Sequence, residues 1–211
     1  MDVQKFTPKE RVIAYIDGYN LYFGLKDSGF KRFLWLNIQS LIESLLTGNQ
    51  ELVKVKYFTT LVTNDVAKRL RQKQFISALQ SLDKVEIFYG KFQKEKNHCG
   101  VCGNDYPNDC EKMTDVGIAT QVVKDYYTDA FDMAMIVSGD TDLLPPIRLI
   151  NESADNKRVF VAFPPDRSND EVRKFAKGSM VIGRKNLLRS QFDDKVTNVN
   201  GEVFNRPVEW K

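Results

Sequence analysis

The first apolar segment of the chain is Arg11-Val-Ile-Ala-Tyr-Ile16, and Asp17-Gly18 follows it directly. A short apolar run that ends at a turn signal is typical of a β-strand buried on both faces. Four similar segments occur later in the chain, and most of their residues are strand-favouring Val, Ile, Phe and Tyr. We therefore predict five strands, which include residues 11–16, 52–62, 85–89, 133–137 and 158–163.

Stretches with helical spacing separate these strands. Apolar residues recur every three or four positions over 38–46, 66–82, 113–127 and 143–150, and Asn64 is the predicted cap of the second helix. Strands that are apolar on both faces and alternate with helices indicate a mostly parallel sheet that is covered by helices on both sides. We predict one three-layer α/β domain, Rossmann-like in outline, over residues 8–183. An insertion at 91–112 and a C-terminal tail at 184–211 complete the predicted organisation.

Charge is unevenly distributed along the 211 residues, whose net charge is only +3. Residues 97–145 carry nine acids and two bases, a local charge of −7, so the remainder carries +10. No apolar run approaches the roughly 20 residues that span a bilayer, and the first residues lack the apolar stretch of a signal peptide. We expect a cytoplasmic protein that combines an acidic block with a basic surround and does not enter membranes.

Acids follow the predicted strands where an α/β sheet places its ligands. Asp17 follows the first strand, Asp140 and Asp142 follow the fourth, and Asp115 begins a helix after the insertion. Ligands of open α/β sheets bind at the carboxyl ends of the strands, near the point where the strand order reverses. If the first and fourth strands are neighbours, these four carboxylates converge.

Converging carboxylates repel one another unless a cation, shared protons or a basic neighbour stabilises them. Oxygen ligands of this kind suit Mg²⁺ or Mn²⁺, and two such ions could catalyse phosphodiester hydrolysis by activating water and stabilising the leaving oxygen. Each acid taken alone could equally be a helix cap or a turn residue.

Three motifs carry a resemblance to a known family. They are Ile-Asp-Gly-Tyr-Asn-Leu-Tyr at 16–22, Glu-Lys-Met-Thr-Asp-Val at 111–116 and Ile-Val-Ser-Gly-Asp-Thr-Asp-Leu-Leu-Pro at 136–145. Their order and spacing resemble the NYN domain family, in particular its LabA-like branch, which belongs to the PIN-like nucleases. The resemblance implies a central parallel sheet and an acidic cluster that binds Mg²⁺ or Mn²⁺ for RNA cleavage.

The same resemblance assigns roles to individual residues. It implies that Asp17, Asp115, Asp140 and Asp142 are catalytic metal ligands and that Asn20 positions a metal-bound water or phosphate. Ser138 and Thr141 would orient the carboxylates through hydrogen bonds. One position departs from the pattern: Lys177 stands where similar proteins have an Asp, after the last strand and before an apolar helix, so any help that this Asp gives to metal binding is missing.

All three cysteines and the single histidine lie in the insertion. Cys99 and Cys102 have the spacing of a zinc knuckle, and Cys110 and His98 would complete four ligands of a structural Zn²⁺. Because adjacent residues rarely both face one ion, Asp105, Asp109 or water are alternatives to His98. A redox pair or reduced loop cysteines are the other interpretations.

Basic and aromatic residues surround the motifs. Lys68, Arg69, Lys91, Arg167 and Arg173 are candidates for phosphate contacts, although solvated helix faces explain such residues equally well. Tyr19, Tyr22 and Phe23 could stack on unpaired bases, but their shared helical face favours a core position for at least two of them.

Two functions compete at this point. The first is a metal-dependent endoribonuclease that hydrolyses RNA, expected to be single-stranded, by a two-metal mechanism. The second is a non-catalytic RNA-binding or regulatory scaffold on the same fold, assembled as a homodimer. A phosphatase is a weaker third, because Asp17-Gly18-Tyr19 lacks a second acid.

Overall fold

The computed structural model describes residues 8–98 and 100–211, with the backbone alone for residues 94–97 and 106–110. Its strands are β1 (Glu10–Asp17), β2 (Gln50–Thr59), β3 (Val85–Tyr89), β4 (Lys91–His98), β5 (Asp105–Lys112), β6 (Met133–Val137), β7 (Arg158–Phe163), β8 (Gly178–Val181), β9 (Lys195–Thr197) and β10 (Val203–Asn205). Its α-helices are α1 (Gly18–Asp27), α2 (Ile38–Leu45), α3 (Val66–Gln80), α4 (Thr114–Tyr127), α5 (Leu144–Asn151), α6 (Asp170–Phe175) and α7 (Arg184–Arg189).

Six of these strands form one parallel sheet in the order β3-β2-β1-β6-β7-β8. The three-layer α/β prediction is confirmed, and the five predicted strands are all members of the sheet. The sixth member, β8, was not predicted. It has four residues and begins with Gly178-Ser179, so neither length nor composition marks it as a strand before it pairs with β7.

The two faces of β1 divide the core into two layers. Val12, Ala14 and Ile16 pack in a cluster with residues of α1, α2 and α3, whereas Ile13 and Tyr15 pack with residues of α4, α5 and α6. Every one of these five side chains is at most 4% exposed. Burial on both sides explains why the strand is a continuous apolar run. No helix among the described residues has the length and apolar character needed to cross a membrane.

The C-terminal tail packs on the first of these layers. Trp210 lies 6.4 Å from Trp35 between ring centroids, and the Trp35 indole donates a hydrogen bond to the carbonyl of Asp193 (2.8 Å). Residues 184–211 thus add α7, the β9–β10 hairpin and a buried indole to the core.

One helix cap differs from the prediction. The side chain of Asp65 accepts a hydrogen bond from the Lys68 amide (2.9 Å) and caps α3, so the assignment of this role to Asn64 was wrong by one residue. Both residue types are good caps, and sequence pattern locates helix ends only to within a residue or two.

A buried ion pair ties α4 to the sheet. Lys56 on β2 approaches a carboxylate oxygen of Asp125 to 2.8 Å, with side chains only 10% and 8% exposed. The hydroxyl of Tyr15 on β1 donates to the same oxygen (2.6 Å). Three elements therefore share one desolvated carboxylate.

We predict that Asp125→Ala lowers the free energy of unfolding by about 3–5 kcal/mol, because it leaves the Lys56 ammonium buried without its partner. Urea unfolding followed by circular dichroism measures this loss. The matched control is Asp170→Ala, whose side chain is 94% exposed in its pair with Arg173 and should cost about 0.5 kcal/mol or less. Similar losses in the two variants would contradict the prediction.

Candidate active site

The acidic motifs meet because β1 and β6 are adjacent parallel strands. Ile16 pairs with Val137, so Asp17 and Ser138 leave the sheet at the same edge. The strand order reverses between these two strands, since β2 and β3 continue on one side of β1 and β7 and β8 on the other side of β6. This is the position at which open α/β sheets bind ligands.

Hydrogen bonds join the first and third motifs. Asp17 is 5% exposed, caps α1 by accepting from the Asn20 amide (2.9 Å) and accepts from the Ser138 hydroxyl (3.0 Å). The Ser138 hydroxyl oxygen accepts in turn from the backbone amide of Asp140 (3.1 Å). The side-chain Oδ1 of Asn20 accepts from the backbone amide of Gly139 (3.1 Å). Asn20 therefore connects the two strand ends, in addition to the role toward water or phosphate that the resemblance implies.

Gly139 allows this loop to lie against the segment after β7. A Cβ atom at Gly139 would lie 1.9 Å from the carbonyl oxygen of Arg167, which is a severe steric clash. Only glycine permits such a close backbone approach. The position of Asp140, the next residue, depends on it.

Asp115 and Glu111 complete the acidic cluster. The pKa of Asp115 is raised to about 6, mainly by burial and also by the charges of Asp17, Asp140 and Asp142. Burial likewise raises the pKa of Asp17 to about 6, with contributions from Glu111 and Asp140. We define the acidic centre by these carboxylates, which influence one another's charge: Asp17, Glu111, Asp115, Asp140 and Asp142.

Glu111 is a member of the acidic centre to which the family resemblance gave no role. It lies near the end of β5, just before Met113, whose left-handed backbone (φ of 77°) turns the chain into α4. Its carboxylate accepts from the hydroxyls of Thr114 (2.7 Å) and Thr60 (3.0 Å), and burial raises its pKa. Its place in the second motif was the one available signal, and position in the motif alone could not separate it from a turn residue.

The acidic centre has the donor chemistry of a divalent-cation site. The charges that raise the pKa values of Asp17 and Asp115 are those of neighbouring carboxylates. A set of hard oxygen donors suits Mg²⁺ or Mn²⁺. Within residues 8–98 and 100–211, however, no three acids, cysteines or histidines are already gathered at ligand geometry. Metal binding would therefore require these side chains to draw closer.

Thr141 lies between Asp140 and Asp142, but it is exposed, and no described hydrogen bond joins its hydroxyl to a carboxylate. Lys177 immediately precedes β8, and its amide donates to the carbonyl of Val159 near the start of β7. Since the strands are parallel, Lys177 lies at the edge of the sheet opposite the acidic centre, and an acid at this place could not join it.

The insertion is an antiparallel hairpin of β4 and β5 in which His98 pairs with Asp105 and Gln93 with Cys110. Nδ1 of His98 lies 3.0 Å from Asp105, and Cys102 is an exposed free thiol at the tip. Cys99 and the side chain of Cys110 lie outside the described part of the chain. Cys110 is five positions from Asp105, or roughly 17 Å along a strand, so it shares one ion with His98 only if the hairpin rearranges.

The basic candidates do not form one surface. Arg167 lies beside the loop of Asp140 and pairs with Asp27, while Lys68 lies on α3 and pairs with Asp65 (3.3 Å). Lys91 begins the hairpin. Arg69 is exposed on α3 next to Lys68, and Arg173 pairs with Asp170 on α6.

Two cavities flank the acidic centre. The polar cavity has a volume of about 340 Å³ and is bounded by Asn20, Asp140 and Arg167 with their neighbours. The aromatic pocket has a volume of about 440 Å³ and reaches Glu111 and Gly18. Its walls carry the rings of Tyr19, Tyr22, Phe23, Tyr57, Phe75, Phe92 and Trp210.

Comparison with known proteins supports the motif resemblance. The sequence profile of the NYN domain matches residues 11–182. The crystal structure of a protein of unknown function from Vibrio parahaemolyticus superposes with a TM-score of 0.56, covering 87% of this chain and 98% of that one. At 20% identity, this likeness shows the fold alone.

A curated relative bears the name of a different chemistry. The 6-hydroxy-3-succinoylpyridine 3-monooxygenase HspA of Pseudomonas putida is 28% identical, and the match covers 79% of this chain and 64% of that protein. The chain thus spans less than two thirds of the length of this relative.

We predict that Asp17→Asn stabilises the metal-free protein while it removes a proposed ligand. The side-chain amide of the variant keeps an oxygen that accepts from the backbone N–H of Asn20, and no charge is buried beside the other acids. We expect the free energy of unfolding to rise by on the order of 1 kcal/mol, or roughly 2–4 °C in Tm. Thermal unfolding in a chelating buffer measures it. Asp83→Asn, an exposed control outside the cluster, should leave Tm unchanged. A lower Tm for Asp17→Asn than for wild type would contradict the prediction.

Proposed function

Because this chain belongs to the NYN domain family, whose PIN-like fold is nuclease-like and whose members generally bind RNA, we propose that it is a metal-dependent endoribonuclease. The observation that carries the proposal is the acidic centre itself. Asp17 is 5% exposed, and the charges of Glu111 and Asp140 raise its pKa, so a buried carboxylate lies among other acids at the sheet edge. Carboxylates this close are stable only with a cation, a shared proton or a basic neighbour, and a divalent cation suits a set of hard oxygen donors.

Asp17, Asp115, Asp140 and Asp142 would hold Mg²⁺ or Mn²⁺, in one or two ions. Such an ion, when bound, supplies an activated water and neutralises charge on the phosphate. The chain's own contribution is positioning. Ser138 fixes the orientation of the Asp17 carboxylate, and Asn20 holds the Gly139 amide so that Asp140 and Asp142 stand at the end of β6.

Glu111 has a separate place in this proposal. Two threonine hydroxyls hold its carboxylate at the border between the acidic centre and the aromatic pocket. Its raised pKa, caused mainly by burial, suits a group that accepts a proton from an attacking water. The proposal therefore includes Glu111 as a base or as an additional ligand.

The name of the curated relative suggests a second candidate, the hydroxylation of a pyridine ring. The observation that favours it is the aromatic pocket, whose volume of about 440 Å³ falls in the range of small-molecule sites. Oxygen consumption in the presence of 6-hydroxy-3-succinoylpyridine, a flavin and a reduced nicotinamide tests it. Substrate-dependent uptake that Asp140→Asn leaves unchanged would favour this candidate over the nuclease.

We predict that wild-type protein cleaves single-stranded RNA in Mg²⁺ or Mn²⁺ and that Asp140→Asn lowers the rate by at least about 100-fold, since the loss of one carboxylate weakens both ion binding and its orientation. Gel analysis of end-labelled RNA and single-stranded DNA of one sequence measures rate and sugar preference. Asp83→Asn is the control for an exposed acid and should cleave as wild type.

The nuclease proposal fails if Asp140→Asn cleaves at the wild-type rate, because the activity then comes from a contaminant or another site. Salt-sensitive RNA binding without cleavage in any divalent metal would instead favour the non-catalytic scaffold.

We also propose that the tip of the hairpin binds structural Zn²⁺ through His98, Cys99 and Cys102, which Cys110 would join only if the hairpin rearranges. We predict about one zinc per chain in protein purified without added zinc, and a loss of most of it in Cys102→Ser. Elemental analysis measures both. Zinc-free wild-type protein would remove the assignment.

A further inference from the structure

The aromatic pocket lies between α1, α3 and the C-terminal tail, on the face of the sheet opposite α4. Leu21, Leu34 and Phe75 form its inner walls, and Trp210 from the tail forms part of its lining. Its volume of about 440 Å³ is large for a gap beside a packed core, because protein interiors are usually filled. The pocket is thus built into the fold by three separate parts of the chain.

Ring surfaces and cations are combined at this pocket. Tyr22 and Phe23 meet edge to face at 5.2 Å, and the ammonium of Lys26 lies 5.5 Å from the centre of the Phe23 ring. Lys68 and Arg71 line the pocket from α3, where they pair with Asp65 (3.3 Å) and Glu209 (2.8 Å). Flat apolar surfaces with nearby cations match a ligand that is planar and carries a neighbouring negative charge.

The pocket is continuous with the acidic centre. Glu111 lines the pocket, and its charge acts on Asp17. Tyr57 also lines the pocket, with its hydroxyl end against Gly18, the residue after Asp17. A planar group in the pocket therefore has its attachment point beside the carboxylates, where a scissile phosphate would lie.

We propose that the aromatic pocket binds one unpaired nucleobase of the strand that is cleaved, next to the scissile phosphate. This inference rests on the proposed nuclease function and deepens it by naming the substrate class. A base in the pocket must leave its stack and its pairing partner, so the site selects single-stranded RNA over duplex. Lys26 and Lys68 would face the adjoining phosphates.

The test measures binding, so it does not depend on cleavage. A labelled 12-nucleotide single-stranded RNA is titrated with the full-length Asp140→Asn protein in Mg²⁺, and each base in turn is replaced by an abasic site. We expect one position at which the abasic substitution weakens binding by roughly 5- to 150-fold, the effect of losing one stacked base. Equal effects at all positions would overturn the proposal.

Pocket variants then locate the sensitive base. In the same background, Tyr22→Ala and Leu34→Phe should abolish the positional effect, the first by removing a stacking surface and the second by filling the pocket. Tyr127→Ala, a 72%-exposed tyrosine on α4, should preserve it. If Tyr22→Ala does not fold, Leu34→Phe decides alone.

Retention of the positional effect in Leu34→Phe, or tight binding of free 6-hydroxy-3-succinoylpyridine without any sensitive RNA position, would overturn the inference. A sensitive base in a protein that shows no metal-dependent cleavage would leave the base pocket in place and remove the nuclease function. The two proposals therefore fail in distinguishable ways.

Discussion

The parallel pairing of β1 with β6 is the constraint on which the candidate site depends. Residues 12–16 are paired with residues 133–137, so two chain segments more than 110 positions apart end side by side. Asp17 and Ser138 are then within hydrogen-bond distance. Asp17 caps the helix that follows β1, and Asp140 caps the helical turn that follows β6.

The same arrangement costs stability. An acid buried at the junction of two strands loses hydration, and the neighbouring carboxylates add repulsion, so its pKa rises. The surrounding fold offsets this cost with packed apolar layers on both faces of the sheet and with the shared carboxylate of Asp125. Sites that conflict with local stability in this manner are commonly functional.

Sequence pattern recovered those parts of the molecule that are determined locally. Five of the six strands of the parallel sheet follow from apolar runs, and the strand-end acids follow from their position after those runs. It missed β8, whose four residues become a strand only through pairing with β7, and it placed the cap of α3 at Asn64 instead of Asp65. It placed residues 184–211 outside the predicted domain, because a single Trp210 gives no periodic signal before it packs on Trp35.

The sequence by itself determined the α/β class, the three acidic motifs and the family to which the chain belongs, because periodicity and short motifs are properties of neighbouring residues. The tertiary structure alone decided that Glu111 joins the acidic centre, that Lys177 lies at the opposite edge and that α1, α3 and the tail enclose an aromatic pocket. These facts depend on strand order and on contacts between distant segments. Such contacts are fixed only when the apolar faces pack together.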